Sequence, residues 1–249
     1  MGIGTERLEQ EIRALFPKIE VGRMDRDTTS RRRSHLQILK RLESGKIDIL
    51  VGTQMIVKGH DFPNVTFVGV VSADTSLHFP DFRSGERTFQ LLTQVAGRAG
   101  RGEVLGEVVI QTFNPDHYSI QKAKNHDFIG FYREEIEFRR ALGYPPFSRF
   151  INFRLAGNSE KRTKVVAEEM GRISQSLLQK GYGRKIEILG PSTAPFAKMR
   201  GKFRWQMLAK GASSQYLHQF AQELAVRLED QVKGRGVNLD IDVDPVFIL

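Results

Sequence analysis

Val65-Thr66-Phe67-Val68-Gly69-Val70-Val71 is a short, nearly uninterrupted apolar run, and Asp48-Ile49-Leu50-Val51-Gly52 before it is another. Such runs are the pattern of parallel strands covered on both faces, because helices pack on either side of a parallel sheet. Helical patterns surround them. Thr5 to Phe16 places Leu8, Ile12, Leu15 and Phe16 on one face, with Thr5 as N-cap, which predicts a surface helix packed on a core. A second helix is predicted over Ser30 to Leu42 with Leu36, Leu39 and Leu42 inward, and a third around Glu86 to Ala96. Ile19 to Met24 and Glu107 to Phe113 supply further strands. Alternating strands and helices of this size predict an open α/β sheet.

The second half of the chain reads differently. A long helical stretch is predicted from Asp116 to Leu142, ended by Gly143-Tyr144-Pro145-Pro146, because the residue before a proline is pushed out of the helical region. Then come a strand over Arg149 to Leu155, a helix over Ser159 to Lys180, strands over Lys185 to Leu189 and Phe203 to Lys210, a helix over Ser213 to Val232 and a strand over Val237 to Val243. That order, β-α-β-β-α-β, is the ferredoxin-like arrangement of an α+β domain. The predicted organisation is therefore an α/β domain over 1–115, a helical connector over 116–146 and a C-terminal domain over 147–249, without internal repeats.

Among 249 residues, 38 Lys and Arg against 29 acids give a net charge of +9. The pI near 9.8 is in the range where a nucleic-acid footprint becomes a serious reading, although charge alone does not fix a mechanism. The absence of cysteine excludes disulfides and thiolate-bound zinc within these residues. The six histidines, at 35, 60, 78, 117, 126 and 218, form none of the close pairs of a zinc motif, so no metal site is expected. Met1-Gly2-Ile3-Gly4 runs directly into a charged helix, and no window approaches membrane-spanning length. The expectation is a cytoplasmic protein without a membrane partner.

The string richest in chemistry is Gln94-Val-Ala-Gly97-Arg98-Ala-Gly100-Arg101, at the predicted end of a helix. Two arginines three residues apart occupy neighbouring positions of a helical turn, so both guanidinium forks can address one anion. Phosphoryl transfer uses such groups to stabilise charge developing on the transferred phosphate. Taken alone, the string reads better as a basic turn after a helix. Upstream, however, Ile49-Leu-Val-Gly-Thr53-Gln54-Met-Ile-Val-Lys58-Gly59-His-Asp61-Phe-Pro63 has a strand emptying into a loop that carries a hydroxyl, an amide, a lysine, a glycine and a carboxylate. Loops at the carboxyl ends of parallel strands are where open α/β sheets bind ligands.

These two segments resemble motifs V and VI of superfamily 2 helicases. The fuller set, Met24-Asp-Arg-Asp-Thr28, Lys58-Gly-His-Asp-Phe-Pro-Asn64, Thr88 to Arg101, Ile110-Gln-Thr-Phe-Asn-Pro115, Phe138 to Phe147, Phe203-Arg-Trp-Gln206 and Asp240-Ile-Asp-Val-Asp-Pro245, resembles the primosomal PriA family along nearly the whole chain. The resemblance implies a RecA-like second helicase lobe with a partly truncated parallel sheet, followed by the ferredoxin-like domain. It implies that Arg101 is the arginine finger, Arg98 its partner on the phosphates and Gln94 their link to the site. Gly59 and Asp61 would lie at the nucleotide edge, and Thr53, Gln54 and Lys58 would meet the DNA backbone, a contact without sequence information. For Lys58, a plain solvent-exposed lysine is an equal reading.

The chain has no Gly-x-x-x-x-Gly-Lys-Ser/Thr loop to cradle ATP phosphates and seat Mg²⁺, since Gly45-Lys46 precedes Ile47 and Gly201-Lys202 precedes Phe203. In the family the ATP and Mg²⁺ grip belongs to a first lobe and zinc to a Cys-rich segment, so the expectation is a cut fragment inactive as an ATPase. The resemblance further implies a 3′→5′ helicase of replication restart in bacterial, nucleoid-associated cytoplasm. Its implied partners are branched and single-stranded DNA, primosome proteins and the acidic tail of the single-stranded-DNA-binding protein.

Between Phe196 and Lys210 the cations Lys198, Arg200, Lys202, Arg204 and Lys210 occur with no acid, interleaved with Phe203 and the single tryptophan, Trp205. Strand alternation predicts Phe203 and Trp205 on one face and Arg204 on the other. Cations that track phosphates make Lys198, Arg200, Lys202 and Arg204 candidate DNA contacts, with the aromatics expected in the core. No Gly-Phe-Gly-Phe-like string of an RNA-recognition module is present. Two other readings stay open: a fork-remodelling or repair helicase that shares these motifs, and a non-enzymatic nucleic-acid-binding protein.

Overall fold

The computed structural model describes residues 4–25, 32–53, 65–97 and 106–248, which fall into two compact units. The first unit, residues 1–79 and 83–133, begins with helix α1, Thr5–Leu15, and strand β1, Val21–Met24. Helix α2, Arg32–Glu43, crosses over to strand β2, Ile49–Gly52, which lies parallel to β1 with Val21 opposite Ile49. Strand β3, Phe67–Val70, is followed by the single-turn helix α3, Asp74–Leu77, and by helix α4, Ser84–Ala96. Strand β4, Glu107–Ile110, then pairs parallel to β3. Helices α5, Tyr118–Lys124, and α6, Phe128–Ala141, follow, and the division between the units falls inside α6.

One core of this unit packs Phe89 and Leu92 of α4 against Ile120, Ala123 and Phe131, with Val70 and Ile110 joining from the strands. Phe89 stacks on Phe131 at 4.2 Å between ring centroids. A smaller cluster gathers Ile38, Leu42, Leu50 and Val65 around Met24 and Leu39.

Several expectations need correction here. The apolar run at β3 is not covered on both faces among the described residues. Phe67 is 57% exposed and Val71 and Val109 are exposed beside it, because residues at i and i+2 share a face and only the face carrying Val70 and Ile110 meets α4 and α5. In α1, Leu15 is 72% exposed and Phe16 is exposed too, so the helix does not bury the predicted stripe. It is tied to β1 by polar contacts instead. The Thr5 hydroxyl donates to Asp25 at 2.6 Å and Arg13 donates to the Val21 carbonyl at 2.6 Å, which makes Thr5 a side-chain anchor while Gly4 takes the N-cap position. In α2, Leu36 is 55% exposed, because the inward stripe runs through Ile38, Leu39 and Leu42 and Leu36 lies well round the helix from it.

The predicted helix from Asp116 to Leu142 is two helices. Asn125 caps the end of α5, His126 adopts a positive φ of 53°, and the Asp127 carboxylate accepts from the Gly130 amide at 2.8 Å to start α6. Short polar side chains that bond their own backbone favour such breaks over helix interiors. The end of α6 also differs in cause. Gly143 sits in the left-handed region at φ 58°, with Tyr144 N bonded to Arg139 O and Gly143 N to Arg140 O, so a glycine cap stops the helix before the prolines.

The second unit, residues 80–82 and 134–249, is built on strand β5, Arg149–Gly157, helix α7, Glu160–Leu177, with a π-type turn at Leu178–Tyr182, strand β6, Ile186–Met199, strand β7, Lys202–Gly211, helix α8, Ser214–Arg235, and strand β8, Val237–Val243. The sheet order is β6-β7-β5-β8 and every neighbouring pair is antiparallel. Ile151, Phe153, Leu155, Met207 and Ala209 point from one face into α7 and α8, where Val166, Met170, Phe220 and Leu224 meet them. Each fully buried large side chain in such a layer is worth about 1.5–3 kcal/mol.

The predicted strand over Lys185 to Leu189 runs on to Met199, through Pro191 and Pro195. Proline cannot donate to a ladder, but β6 is an edge strand, and its register shifts between Leu189 and Ser192 and between Thr193 and Lys198 absorb both residues. On the sheet face away from the helices, Phe150 is covered by Phe82 at 5.5 Å and Tyr144 at 5.9 Å between ring centroids. Arg139 braces this layer. It pairs with the buried Glu135 through two nitrogens at 2.7 Å, donates to the Pro145 carbonyl and lies 5.2 Å over the Phe82 ring.

Candidate motor loops and nucleic-acid interface

In the first unit the strand carboxyl ends carry the candidate loops. Thr53 is the first residue past β2 and is exposed. Gln94 is exposed near the end of α4, whose other side buries Gly85, Thr88, Phe89, Leu92 and Val95. Gly97 closes that helix with its amide on Thr93 O at 3.1 Å. Gln54, Lys58, Gly59, Asp61, Arg98 and Arg101 lie outside the described residues, including the helical-turn placement expected for the two arginines.

The loops after β3 and β4 are held by a residue to which the sequence reading assigned no role. Asp74, at the start of α3, accepts from the Phe113 amide at 3.0 Å, from Asn114 Nδ2 at 3.0 Å and from the Thr112 hydroxyl at 3.1 Å. Desolvation pushes its carboxyl up, but the bonds from Phe113, Asn114 and Thr112 together outweigh it and hold the group below the ordinary carboxylate value. Its oxygens are already engaged. Asp74 is therefore a clamp between two loops at the edge where open α/β sheets bind ligands. The available signal was the string Gln111-Thr-Phe-Asn114 after a strand, whose polar side chains suit a loop clamp.

In the second unit the candidate DNA residues converge on one hairpin. Lys198 and Met199 end β6, Lys202 opens β7, and only Arg200 and Gly201 lie between, with φ of 50° and 80°. The segment Lys198 to Lys202 thus closes on a two-residue β-turn with Met199 opposite Lys202. Two consecutive left-handed residues suit the twist of a tight hairpin, and Gly201 meets that demand without a Cβ penalty. Lys198, Arg200 and Lys202 are exposed, and Arg204 is half-buried with a guanidinium nitrogen 3.9 Å from Met199 Sδ. None of the four forms an ion pair among the described residues. Lys210 is different. It bonds Glu187 at 2.7 Å and the Leu142 carbonyl at 3.2 Å, so its charge is already committed.

Alternation puts both aromatics on one face of β7, but only Trp205 reaches the core as expected, because Phe203 lies beside the turn where no helix side chain covers it among the described residues. Trp205 packs on the core beside Leu155 of β5. Phe203 is half-buried opposite Gly157, with the Lys198 ammonium 4.7 Å from its ring centre. Among the described residues no cluster of three or more His, Asp or Glu could hold a metal ion, and no helix is long and apolar enough to cross a membrane.

Comparison with known proteins agrees with this two-part layout. Residues 4–103 match the model of the helicase conserved C-terminal domain, and residues 140–246 match that of the primosomal protein N C-terminal domain. The replication restart protein PriA of Bacillus subtilis is 43% identical over 248 residues, covering 100% of this chain and 30% of that protein. Its counterpart in Synechocystis is 40% identical, covering 99% of this chain and 29% of the relative, and that of Treponema pallidum is 39% identical, covering 100% and 36%. The chain thus spans about a third of the length of the curated relatives it matches. With both domains in tandem and about 40% identity from end to end, the chain belongs to the PriA replication restart family, as the counterpart of its C-terminal region.

Proposed function

We propose that this chain supplies the second motor lobe and a fork-binding domain to an ATP-dependent 3′→5′ DNA helicase of replication restart. The observation that carries the reading is the unbroken similarity to PriA proteins across both domains. In this reading residues 1–115 are a RecA-like lobe, 116–146 a connector and 147–249 a ferredoxin-like domain, and the sheet order β6-β7-β5-β8 supports the last assignment. Arg101 acts as the arginine finger on the γ-phosphate, Arg98 steadies the phosphates and Gln94 links them to the lobe. Gly59 and Asp61 line the nucleotide edge, and Thr53, Gln54 and Lys58 hold the tracking strand.

ATP and Mg²⁺ are gripped by the first lobe of the longer protein, so the 249-residue chain by itself hydrolyses no ATP. Zinc belongs to a Cys-rich segment outside this chain. Lys198, Arg200, Lys202 and Arg204 contact DNA phosphates, which the absence of ion pairs at these residues among the described residues supports. Primosome proteins and the acidic tail of the single-stranded-DNA-binding protein are the proposed protein partners, in the bacterial cytoplasm at the nucleoid.

The test is Arg101→Ala in a full-length protein carrying this chain. Loss of DNA-stimulated ATP hydrolysis by about 10³-fold or more is expected for an arginine finger. Undiminished turnover rejects the motor assignment, and turnover by the isolated 249-residue chain rejects the division of the ATP site.

A further inference from the structure

Phe196 stands out on the cationic hairpin because it is an exposed aromatic inside a strand. Between the pairs Thr193–Trp205 and Lys198–Phe203, β6 carries Ala194, Pro195, Phe196 and Ala197 where β7 has only Arg204. The extra length makes a bulge. Ala194 is buried at its base, Pro195 fixes the backbone beside the ring, and Phe196 is left 51% exposed. Bulges commonly re-aim a side chain at a functional edge. Next to it come the exposed Met199 and the cations Lys198, Arg200 and Lys202 on a turn of only two residues.

We infer that Phe196 stacks on the terminal base pair at a single-strand/double-strand junction, while Lys198, Arg200 and Lys202 hold the flanking phosphates. The inference rests on the proposed DNA-binding role of this hairpin and adds a recognition element to it. Three features point to a nucleic-acid end. The cations have no acid among them in sequence and no ion pair among the described residues, so they complement a polyanion. A base has a flat apolar face whatever its sequence, and an aromatic ring stacks on it without reading a letter. The ring also sits on a short, proline-stiffened bulge, so little backbone freedom is lost when it stacks. A peptide-binding groove would need concave walls, and a cavity of about 560 Å³ elsewhere in this unit is lined by Arg172, Gln175, Gln179 and Pro191 among others, with none of these cations.

The experiment compares binding of the 249-residue chain to a synthetic fork with binding to a relaxed, covalently closed circular duplex that has neither ends nor single-stranded loops, across a salt series. Phe196→Ala is expected to weaken fork binding by about tenfold and to leave the closed duplex and the salt slope unchanged. Phe196→Trp restores the fork preference. The triple variant Lys198→Ala, Arg200→Ala, Lys202→Ala is expected to weaken both DNAs alike and to flatten the slope of log K against log salt by roughly 2–3. If the triple variant acts this way and Phe196→Ala keeps full fork preference, the stacking inference is wrong and the phosphate role stands. If the triple variant changes neither DNA, the DNA-binding role fails and the inference with it. A Phe196→Ala effect confined to an aspartate-rich peptide probe would assign the ring to an acidic protein segment and overturn the inference.

Discussion

The Asp81 carboxylate accepts a hydrogen bond from the backbone amide of Ile248 at 3.2 Å, across 167 positions of sequence. Both residues are buried, and the contact fastens the end of the chain to the segment Pro80–Phe82 that covers the outer sheet face of the second unit. A bond to a charged acceptor in such a place contributes about 1.5–3 kcal/mol. Asp81→Ala should lower the stability of this unit by that amount, and Asp81→Asn by less. Trp205 is the single tryptophan and packs on this unit's core, so its fluorescence in urea reads this transition selectively. An unchanged midpoint for Asp81→Ala would show the tail contact to be unimportant.

Arg139 is the brace of the same layer, through two guanidinium nitrogens on one Glu135 oxygen, its bond to Pro145 O and its place over Phe82. Arg139→Ala should cost roughly 2–3 kcal/mol on the same fluorescence transition. Arg139→Lys should recover only part of it, because an ammonium keeps the charge and loses the planar fork. Full recovery by lysine would mean that charge alone is what the site requires.

Asp74 sets a pH dependence in the first unit. Its carboxyl is held below the ordinary value in the folded chain, so its contribution is fully present above the unfolded pKa and is lost as pH falls through the folded one. Asp74→Asn should therefore lower protection of the Phe113 amide against hydrogen exchange at neutral pH. The gap from the parent chain should close in acid, below the usual carboxylate range. A gap that stays constant down to the lowest accessible pH would contradict the clamp.

Asn152 is fully buried on β5, and neither its Nδ2 nor its Oδ1 has a hydrogen-bond partner among the described residues. A buried polar group without a partner costs about 1–3 kcal/mol. Asn152→Val, which suits a strand and removes both atoms, should raise the urea midpoint of the Trp205 transition. A lowered midpoint would mean that the amide contributes favourably.

Much of this was legible in the sequence for a definite reason. The β-α-β-β-α-β order of the second half depends on local periodicity and on turn residues, which near neighbours along the chain encode. Its pairing into the order β6-β7-β5-β8 does not follow from any one segment. The continuation of β6 through Pro191 and Pro195 was invisible because a proline forbids a central strand and only the edge position permits it. The split at Asn125 to Asp127 was there to be read in short polar residues, but the apolar positions on either side masked it.

The candidate sites divide along the same line. Motif order and spacing singled out Thr53, Gln94, Arg98 and Arg101, and the acid-free run singled out Lys198 to Arg204, since residue type and separation are properties of the string itself. The hold of Asp74 on Thr112, Phe113 and Asn114, the meeting of Asp81 with Ile248 and the exposure of Phe196 on its bulge were decided only in three dimensions. A sequence determines which groups are available and how often they recur. Which of them meet, and which faces stay uncovered, depends on the packing of segments far apart in the chain, where burial of the whole outweighs the preference of any one part.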